Sequence, residues 1–178
     1  MLIDKEITKI CKYNITMQLV EEQDAQFIVD LRTDERNRHI SKTDPDTSKQ
    51  VEWIKRYKIR EETKIEYYFI VKDSNGIPWG TTRLYNFEEN KFEVGSWVFL
   101  INAPNHIAIK SDILAREIAF ETLGFDICKF EVRKDNKKVL RYHHGYKPNV
   151  VAEDDLNFYF ELDKLSFYKH RDKLLKLL

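Results

Sequence analysis

The feature that most constrains the fold is a block of three β-rich runs between residues 66 and 100. The runs are EYYFIVKD, PWGTTRLYNFE and KFEVGSWVFL, and turn residues separate them, Ser74-Asn75-Gly76 first and Glu89-Asn90 second. An Asn-Gly pair between two β-rich runs favours a hairpin, because both residues tolerate the positive φ angles of a tight turn. The sequence therefore predicts three consecutive antiparallel strands.

Helical and strand patterns alternate on both sides of this block. Before it, ITMQLV predicts a strand, EEQDAQFIVDLR a helix, and residues 47–62 a second helix that opens after Pro45-Asp46. After it, INAPNHIAIK lacks a regular pattern, and SDILAREIAFETLGF predicts a helix that Gly124 ends. CKFEVRK and NFYFELD then predict strands around a helix, DNKKVLRYHHGYK, which Asp135 or Asn136 can cap.

This order of elements indicates the α/β (α+β) class, and 178 residues suffice for one core. We therefore expect residues 1–178 to form a single domain, in which residues 165–178 are a C-terminal helical tail. The tail carries seven large apolar side chains, so it packs either on its own domain or on a second copy in a homodimer.

Charge and cysteine content narrow the class of protein. Thirty Lys and Arg balance thirty Asp and Glu, so no net basic charge is available to bind nucleic acid. The start, MLIDKEITK, lacks the apolar stretch of a signal peptide, and no segment approaches ~20 apolar residues. Cys11 and Cys128 are far apart and have no metal-ligand spacing. We expect a cytoplasmic protein with no membrane, nucleic acid or metal partner.

Two motifs carry a resemblance to a known family. The run FEVGSWVFL precedes a loop and a helix ending in Leu123-Gly124-Phe125, and FEVRKDNKKVLRYHHGY follows. In these motifs, and in element order from about Ile15 to Leu162, the chain resembles the GNAT superfamily of N-acyltransferases. The Gly-Ser-Trp run and the Val-Arg-Lys-x-Asn start of the last helix are similar to those of the branch that acetylates nucleotide-linked amino sugars or ribosomal-protein termini. The resemblance implies a mixed, largely antiparallel central sheet flanked by helices.

The resemblance also implies acetyl-coenzyme A as co-substrate, bound in a V-shaped opening between two central strands. The run KFEVGSWVFL corresponds to the family's fourth strand, and its backbone at Val98, Phe99 and Leu100 would face the coenzyme there. Its pyrophosphate would meet backbone N–H groups at the start of the next helix, where the helix dipole favours anions. In this chain those N–H groups belong to His106, Ile107, Ala108, Ile109 and Lys110. The family's glycine-containing phosphate signature is absent from this loop.

The predicted helix DNKKVLRYHHGYK supplies two further candidates. Asn136 and His143 are seven residues apart, so a helix presents both on one face. The resemblance implies that Asn136 holds the pantetheine arm and that His143, partly protonated at neutral pH, assists departure of the thiolate. Alternatively, Asn136 caps the helix and His143 is structural. Lys138 and Arg141 lie where the family binds the adenosine phosphate, although a solvated helix face is the more common explanation for such a basic run.

Four residues are candidates for the acceptor side. Glu93 precedes the Gly-Ser-Trp run and is a general base if burial raises its pKa toward neutrality; the alternative is an exposed carboxylate. Arg32 and Arg38, between the first two helices, and Arg83, on a strand, suit an anionic acceptor such as a nucleotide diphosphate sugar. Solvated surface charge is the alternative for these arginines.

The predicted reaction is direct acetyl transfer from acetyl-coenzyme A to a primary amine. A nucleotide-linked amino sugar is the favoured small-molecule acceptor, and a protein or peptide amine is the second. The alternative from another class is a non-catalytic coenzyme A-binding or scaffold domain of the same fold.

Overall fold

The computed structural model of the protein describes residues 7–178, so most of the charged start MLIDKEITK lies outside the described residues. Within these described residues, eight strands form one sheet in the spatial order β1-β2-β3-β4-β5-β6-β8-β7. The strands are β1 (Lys9–Lys12), β2 (Ile15–Leu19), β3 (Tyr67–Asp73), β4 (Pro78–Glu88), β5 (Lys91–Phe99), β6 (Ile127–Arg133), β7 (Asn149–Glu153) and β8 (Asn157–Asp163).

Five α-helices of the described chain flank the sheet, which confirms the predicted mixed α/β architecture. They are α1 (Ala25–Thr33), α2 (Thr47–Glu62), α3 (Asn105–Glu117), α4 (Lys137–His144) and α5 (Lys164–Leu175). The prediction was wrong at the start of α3, which begins at Asn105 and not at Ser111. Within the segment expected to be irregular, residues 105–110 are helical because Ile107 contributes to the buried face of the helix, whereas residues 101–104 are irregular as predicted.

Two apolar clusters lie on opposite faces of the sheet, as β3 shows. Tyr67, Phe69 and Val71 belong to one cluster, whereas Tyr68 and Ile70 belong to the other. This alternation follows from the period of two in a strand. The larger cluster includes buried residues of α3, α4 and α5, and the smaller one includes buried residues of α1 and α2. The helices therefore cover both faces of β3.

The C-terminal helix α5 is joined to this core. Phe167 is fully buried, and its ring lies 5.2 Å from that of Phe120. Arg171 donates to the buried carboxylate of Glu117 at 2.8 Å, and that carboxylate also accepts from Lys12 at 2.6 Å. These contacts place α5 on its own domain. Among residues 7–178, no helix has the length and apolar character needed to cross a membrane.

The parallel pairing of β5 with β6 is short, and it leaves a gap in the middle of the sheet. All neighbouring strands are antiparallel except β5 and β6, whose register extends only from Lys91↔Ile127 to Glu93↔Lys129. Beyond these pairs, the pairing of β5 with β6 stops although both strands continue. The two strands therefore diverge and leave a V-shaped cleft between their C-terminal halves.

A β-bulge in β5 lies at this cleft. Thr81 of β4 pairs with Val98, but Arg83 pairs with Gly95, so β5 contains one extra residue. Ser96 within the bulge has a φ angle of +47°, in the left-handed region, and its carbonyl accepts from the Thr81 hydroxyl at 2.7 Å. A bulge bends its strand and redirects nearby side chains. Here it bends β5 where β5 leaves β6.

Candidate functional site

The diverging strands enclose a cavity of about 250 Å³, called the cleft below. Its floor includes the bulge residues of β5, and its sides come from β6, from the start of α4 and from the loop after α1. The residues that line it are Arg32, His39, Ile40, Ser41, Arg83, Tyr85, Val94, Gly95, Ser96, Trp97, Asp112, Phe130, Glu131, Val132, Arg133, Asn136, Val139 and His143.

A second cavity of about 350 Å³ lies between α2, the loop after α1 and the sheet, and is called the cationic pocket below. The residues that line it are Arg32, Ser41, Lys42, Thr43, Asp44, Lys49, Gln50, Trp53, Arg56, Tyr68, Arg83 and Ser96.

The two cavities share a wall. Arg32, Ser41, Arg83 and Ser96 line both of them. Because Ser96 belongs to the β5 bulge, the cavities adjoin at the point where β5 and β6 separate. A ligand in the cleft and a second ligand in the cationic pocket can therefore bring reacting groups together beside Ser96.

Part of the positive charge in the cationic pocket has no carboxylate partner among the described residues. Arg32 donates to the hydroxyl groups of Thr43 at 2.7 Å and Ser41 at 2.8 Å, which are neutral. Within residues 7–178, neither Arg32 nor Lys42 nor Arg56 forms a salt bridge. These three cations line one cavity, so the arrangement suits an anionic ligand such as a phosphate ester.

Arg83, in contrast, is held by the protein. Glu66 is only 4% exposed and accepts from Arg83 Nε at 2.6 Å and from Arg60 Nε at 2.7 Å. The Arg83 guanidinium also lies 5.2 Å from the Trp53 ring centroid and 4.5 Å from that of Tyr85. Its position in the shared wall is therefore fixed by a buried carboxylate and two aromatic rings.

Comparison with known proteins identifies the family of this chain. Residues 14–144 match the family described as acetyltransferase (GNAT) domain. The chain belongs to the GNAT acetyltransferases. GNAT enzymes transfer acyl groups, and acetyl-coenzyme A is the family's usual co-substrate.

Solved structures agree with this assignment. One described as apo FdhC, a nucleotide-linked sugar GNAT, is 37% identical, with 97% of this chain and 98% of that chain covered and a TM-score of 0.84. A ribosomal-protein-S5-alanine acetyltransferase from Vibrio fischeri is 12% identical, with 88% and 96% covered and a TM-score of 0.74. A spermidine N-acetyltransferase SpeG variant from Vibrio cholerae is 14% identical, with 88% and 97% covered and a TM-score of 0.71. The last two show the fold alone.

The search of curated proteins gives no match.

Two of the three arginines predicted to bind the acceptor line the cavities of this GNAT chain, and the third does not. Arg32 and Arg83 lie in the shared wall of the two cavities. Arg38 is exposed and lines neither of the two cavities among the described residues. Sequence reasoning missed Arg56, which lies on the polar face of α2, where its charge resembles those of solvated helix residues.

Glu93, the predicted base, lies beside the cleft without lining it. Its carboxylate accepts from the Tyr85 hydroxyl at 2.7 Å and from the Asn86 amide at 2.8 Å. Both oxygens are thus occupied by groups of β4. Glu131 of β6 does line the cleft, and it was missed although strict alternation in Phe130-Glu131-Val132 sets it opposite the buried side chains.

Asn136 and His143 both line the cleft, as their spacing on α4 predicts. Asn136 is also the N-cap of α4, since its side chain accepts from the Val139 amide at 3.3 Å. The helix ends at His144, before Gly145. Lys138 and Arg141 are exposed on α4 and line neither cavity of the described structure.

The protonation expected of His143 is not what the structure shows. His143 is 5% exposed, and loss of hydration, opposed by Asp112 and reinforced by the Arg116 guanidinium, lowers its pKa to about 3. Its Nδ1 lies 3.5 Å from Arg116 Nη2, which can only donate, so a bond here leaves the proton on Nε2. His143 is therefore a neutral group at pH 7 and can act in the cleft as an N–H donor.

Tyr142 is also committed to this buried cluster. Its hydroxyl donates to Asp112 at 2.8 Å and lies 2.9 Å from the Tyr146 hydroxyl. Burial raises its pKa well above the ordinary value. Asp112 in turn accepts from the fully buried Arg116 at 3.0 Å. This cluster fixes the orientation of the side chains on the inner face of α4.

The backbone groups expected to bind the coenzyme are only partly free. Because α3 begins at Asn105, the N–H groups of Ala108, Ile109 and Lys110 fall within helical hydrogen bonding. That of Ile107 donates to the Pro104 carbonyl at 2.9 Å. Of the five predicted amides, only His106 lies among the unpaired N–H groups of the first turn. No side chain caps this helix start.

At the end of β5, the predicted coenzyme contacts are limited in the same way. The Leu100 N–H donates to the Trp79 carbonyl at 2.9 Å, so it is not available to a ligand. Val98 pairs with Thr81, and the Phe99 carbonyl accepts from the Asn37 amide at 3.4 Å. None of the three lines either of the two cavities of the described chain.

Proposed function

We propose that this GNAT enzyme transfers an acetyl group from acetyl-coenzyme A to the primary amine of a nucleotide-linked amino sugar. One observation carries the proposal: Arg32, Lys42 and Arg56, which have no carboxylate partner in the part of the chain that the structure describes, line a pocket that shares a wall with the cleft. The pocket suits a diphosphate, and the shared wall suits the meeting of an amine with a thioester.

The charge of the pocket separates the candidate acceptors. Unit charges 4 Å apart interact by about 1 kcal/mol in water and by about 4 kcal/mol near a protein surface. A nucleotide diphosphate gains this attraction from Arg32, Lys42 and Arg56, whereas a polyamine such as spermidine meets repulsion. The 37% identity with the structure described as a nucleotide-linked sugar GNAT supports the same acceptor class.

The cleft supports coenzyme binding through its own residues. It lies in the V-shaped opening between β5 and β6, and Asn136 and His143 present polar atoms to it from α4. We place the pantetheine arm along these residues and the thioester beside the Ser96 bulge. His106 at the start of α3, with Lys138 and Arg141 on α4, would then lie toward the phosphate end. Transfer is direct, from thioester to amine.

A thiol-release assay with acetyl-coenzyme A and four acceptors tests this proposal. The acceptors are a nucleotide-linked amino sugar, the same amino sugar without its nucleotide, spermidine, and a peptide with an N-terminal alanine. A hydrogen bond to a charged group contributes about 1.5–3 kcal/mol, so two such bonds to the diphosphate predict a kcat/KM at least ~100-fold above that of the free sugar. A higher kcat/KM for the peptide or for spermidine would contradict the proposal.

Thermal unfolding with acetyl-coenzyme A separates the non-catalytic alternative. A ligand at 100 times its Kd stabilises the folded state by about 2.7 kcal/mol, which raises the melting temperature of a domain of this size by several degrees. Stabilisation without turnover of any of the four amines would favour a coenzyme A-binding scaffold.

A further inference from the structure

The cleft contains a further carboxylate, that of Glu131. Glu131 lies on β6 between two buried side chains, Phe130 and Val132, so it occupies the opposite face of the strand. The last parallel pair joins Glu93 to Lys129, and Glu131 is the next residue of β6 on that face. It is therefore the first side chain of this face beyond the point where the strands separate, and it lines the cleft.

The carboxylate of Glu131 is free to accept a proton or a hydrogen bond. Among the described residues, no hydrogen bond or salt bridge involves its side chain. Glu93 pairs with Lys129, two residues before Glu131, and its carboxylate already accepts hydrogen bonds from Tyr85 and Asn86. Glu93 also does not line the cleft, whereas Glu131 does. The two glutamates thus differ both in access and in availability.

The surroundings of Glu131 favour its protonated form. Partial loss of hydration, then repulsion from Glu93 on β5 and from Asp154 after β7, raise its pKa above the ordinary value. Tyr159, its partner on β8, donates its hydroxyl to Asp154. Other titratable or charged groups that line the cleft are Arg32, His39, Arg83, Tyr85, Asp112, Arg133 and His143. A carboxylate with a raised pKa is a stronger base, which suits removal of a proton from an ammonium group.

We propose that Glu131, and not Glu93, is the general base for the acceptor amine; this rests on the proposed function in that the acceptor is an amine. The Glu131 carboxylate takes one proton from R–NH₃⁺. The freed lone pair then forms the N–C bond at the thioester carbonyl, and the C–S bond breaks with its electron pair on sulfur. A second N–H proton passes to the thiolate, and Glu131 releases its proton to water, so the products are the amide, the free thiol and one proton.

Steady-state kinetics of the full-length enzyme test this assignment, with Glu131→Gln as the central variant. General base catalysis contributes ~10²- to 10⁴-fold, so we expect kcat to fall at least ~100-fold at pH 7 while the KM for the coenzyme is unchanged. The acid limb of the pH profile should also disappear. Glu131→Asp should restore part of kcat, and Glu93→Gln should lose less activity than Glu131→Gln. Glu153→Gln, on the exposed strand β7 outside both cavities, is the matched control.

Two results would overturn the assignment. One is a Glu131→Gln enzyme whose KM for the acceptor rises while kcat and the acid limb stay as in the wild type, since that indicates binding alone. The other is a Glu93→Gln enzyme that loses as much activity as Glu131→Gln.

The comparison is made with whichever amine the wild type acetylates best, so it does not depend on the acceptor class. If that amine is not a nucleotide-linked sugar, the proposed acceptor is wrong while the variants still decide the role of Glu131. Wild-type enzyme that acetylates no amine would contradict both proposals.

Discussion

Replacing His143 by Gln should remove a specific pH dependence from the stability of the fold. The folded protein holds this imidazole neutral, because burial lowers its pKa to about 3, with Asp112 opposing and Arg116 and His144 adding to the shift. An unfolded chain protonates the same group near pH 6.5. As pH falls from 6.5 to 3, the unfolded state therefore binds a proton that the folded state does not, and the wild type loses stability.

The magnitude follows from the two pKa values. The loss is about 1.4 kcal/mol per pH unit between the two pKa values, which gives about 2 kcal/mol between pH 7.5 and pH 5. Above pH 6.5 the contribution no longer changes. With a urea m value of ~2 kcal/mol/M, the difference corresponds to a shift of about 1 M in the unfolding midpoint.

Urea unfolding at pH 7.5 and pH 5 measures this effect. The midpoint of the wild type should fall between the two pH values by about 1 M more than that of His143→Gln, because Gln does not titrate. His106→Gln is the control, since His106 is exposed at the start of α3 and is not among the groups that shift the pKa of His143. Equal shifts for the wild type and His143→Gln would show that His143 is not held neutral, and the assignment of an N–H donor would fail.

Two further predictions concern the cationic pocket and the C-terminal helix. Arg56→Gln should raise the KM for a nucleotide-linked acceptor about tenfold or more, without changing the KM for acetyl-coenzyme A, because one charged hydrogen bond is lost. Lys55 is an exposed neighbour outside the pocket, so Lys55→Gln should have no effect in the same kinetic assay. Equal effects of the two changes would refute the role of Arg56. Phe167→Ala should lower the free energy of unfolding by about 3–5 kcal/mol, since the ring is fully buried. Leu165→Ala, at a residue that is 82% exposed, should be nearly neutral in thermal unfolding, and a monomer that loses equal stability from both changes would contradict the packing of α5 described above.

Local signals in the sequence predicted most of the elements correctly. The Asn75-Gly76 turn joins β3 to β4, and Gly76 has the positive φ angle that favours glycine. Asp46 caps α2 by accepting from the Ser48 amide at 2.9 Å. These features depend on a few neighbouring residues, so a single sequence contains the information needed to recognise them.

Elements without such signals were missed. All five residues of β7 are exposed, so Asn149–Glu153 lacks the alternation that indicates a strand, and pairing with β8 alone defines it. The start of α3 has Pro104 at its N-cap, which gives no side-chain capping signal.

The site was predictable where helix periodicity applies and not where long-range pairing decides. The seven-residue spacing of Asn136 and His143 predicted one shared helix face, and both residues line the cleft. The importance of Glu131 follows from the end of the β5–β6 pairing, which joins strands more than thirty residues apart in the chain. Arg56 reaches the cationic pocket only because α2 packs beside the loop after α1. No local pattern distinguishes either residue from ordinary surface charge.

A crystal structure of the dead-end complex with coenzyme A and an unacetylated nucleotide-linked amino sugar tests the central claim most directly. We expect the diphosphate within hydrogen-bond distance of Arg32 and Arg56 in the cationic pocket, and the coenzyme sulfur in the cleft beside Ser96. The sugar amine should lie between them, about 3–3.5 Å from the position of the thioester carbon. A nucleotide bound outside the cationic pocket, or a sulfur away from the Ser96 bulge, would contradict the account.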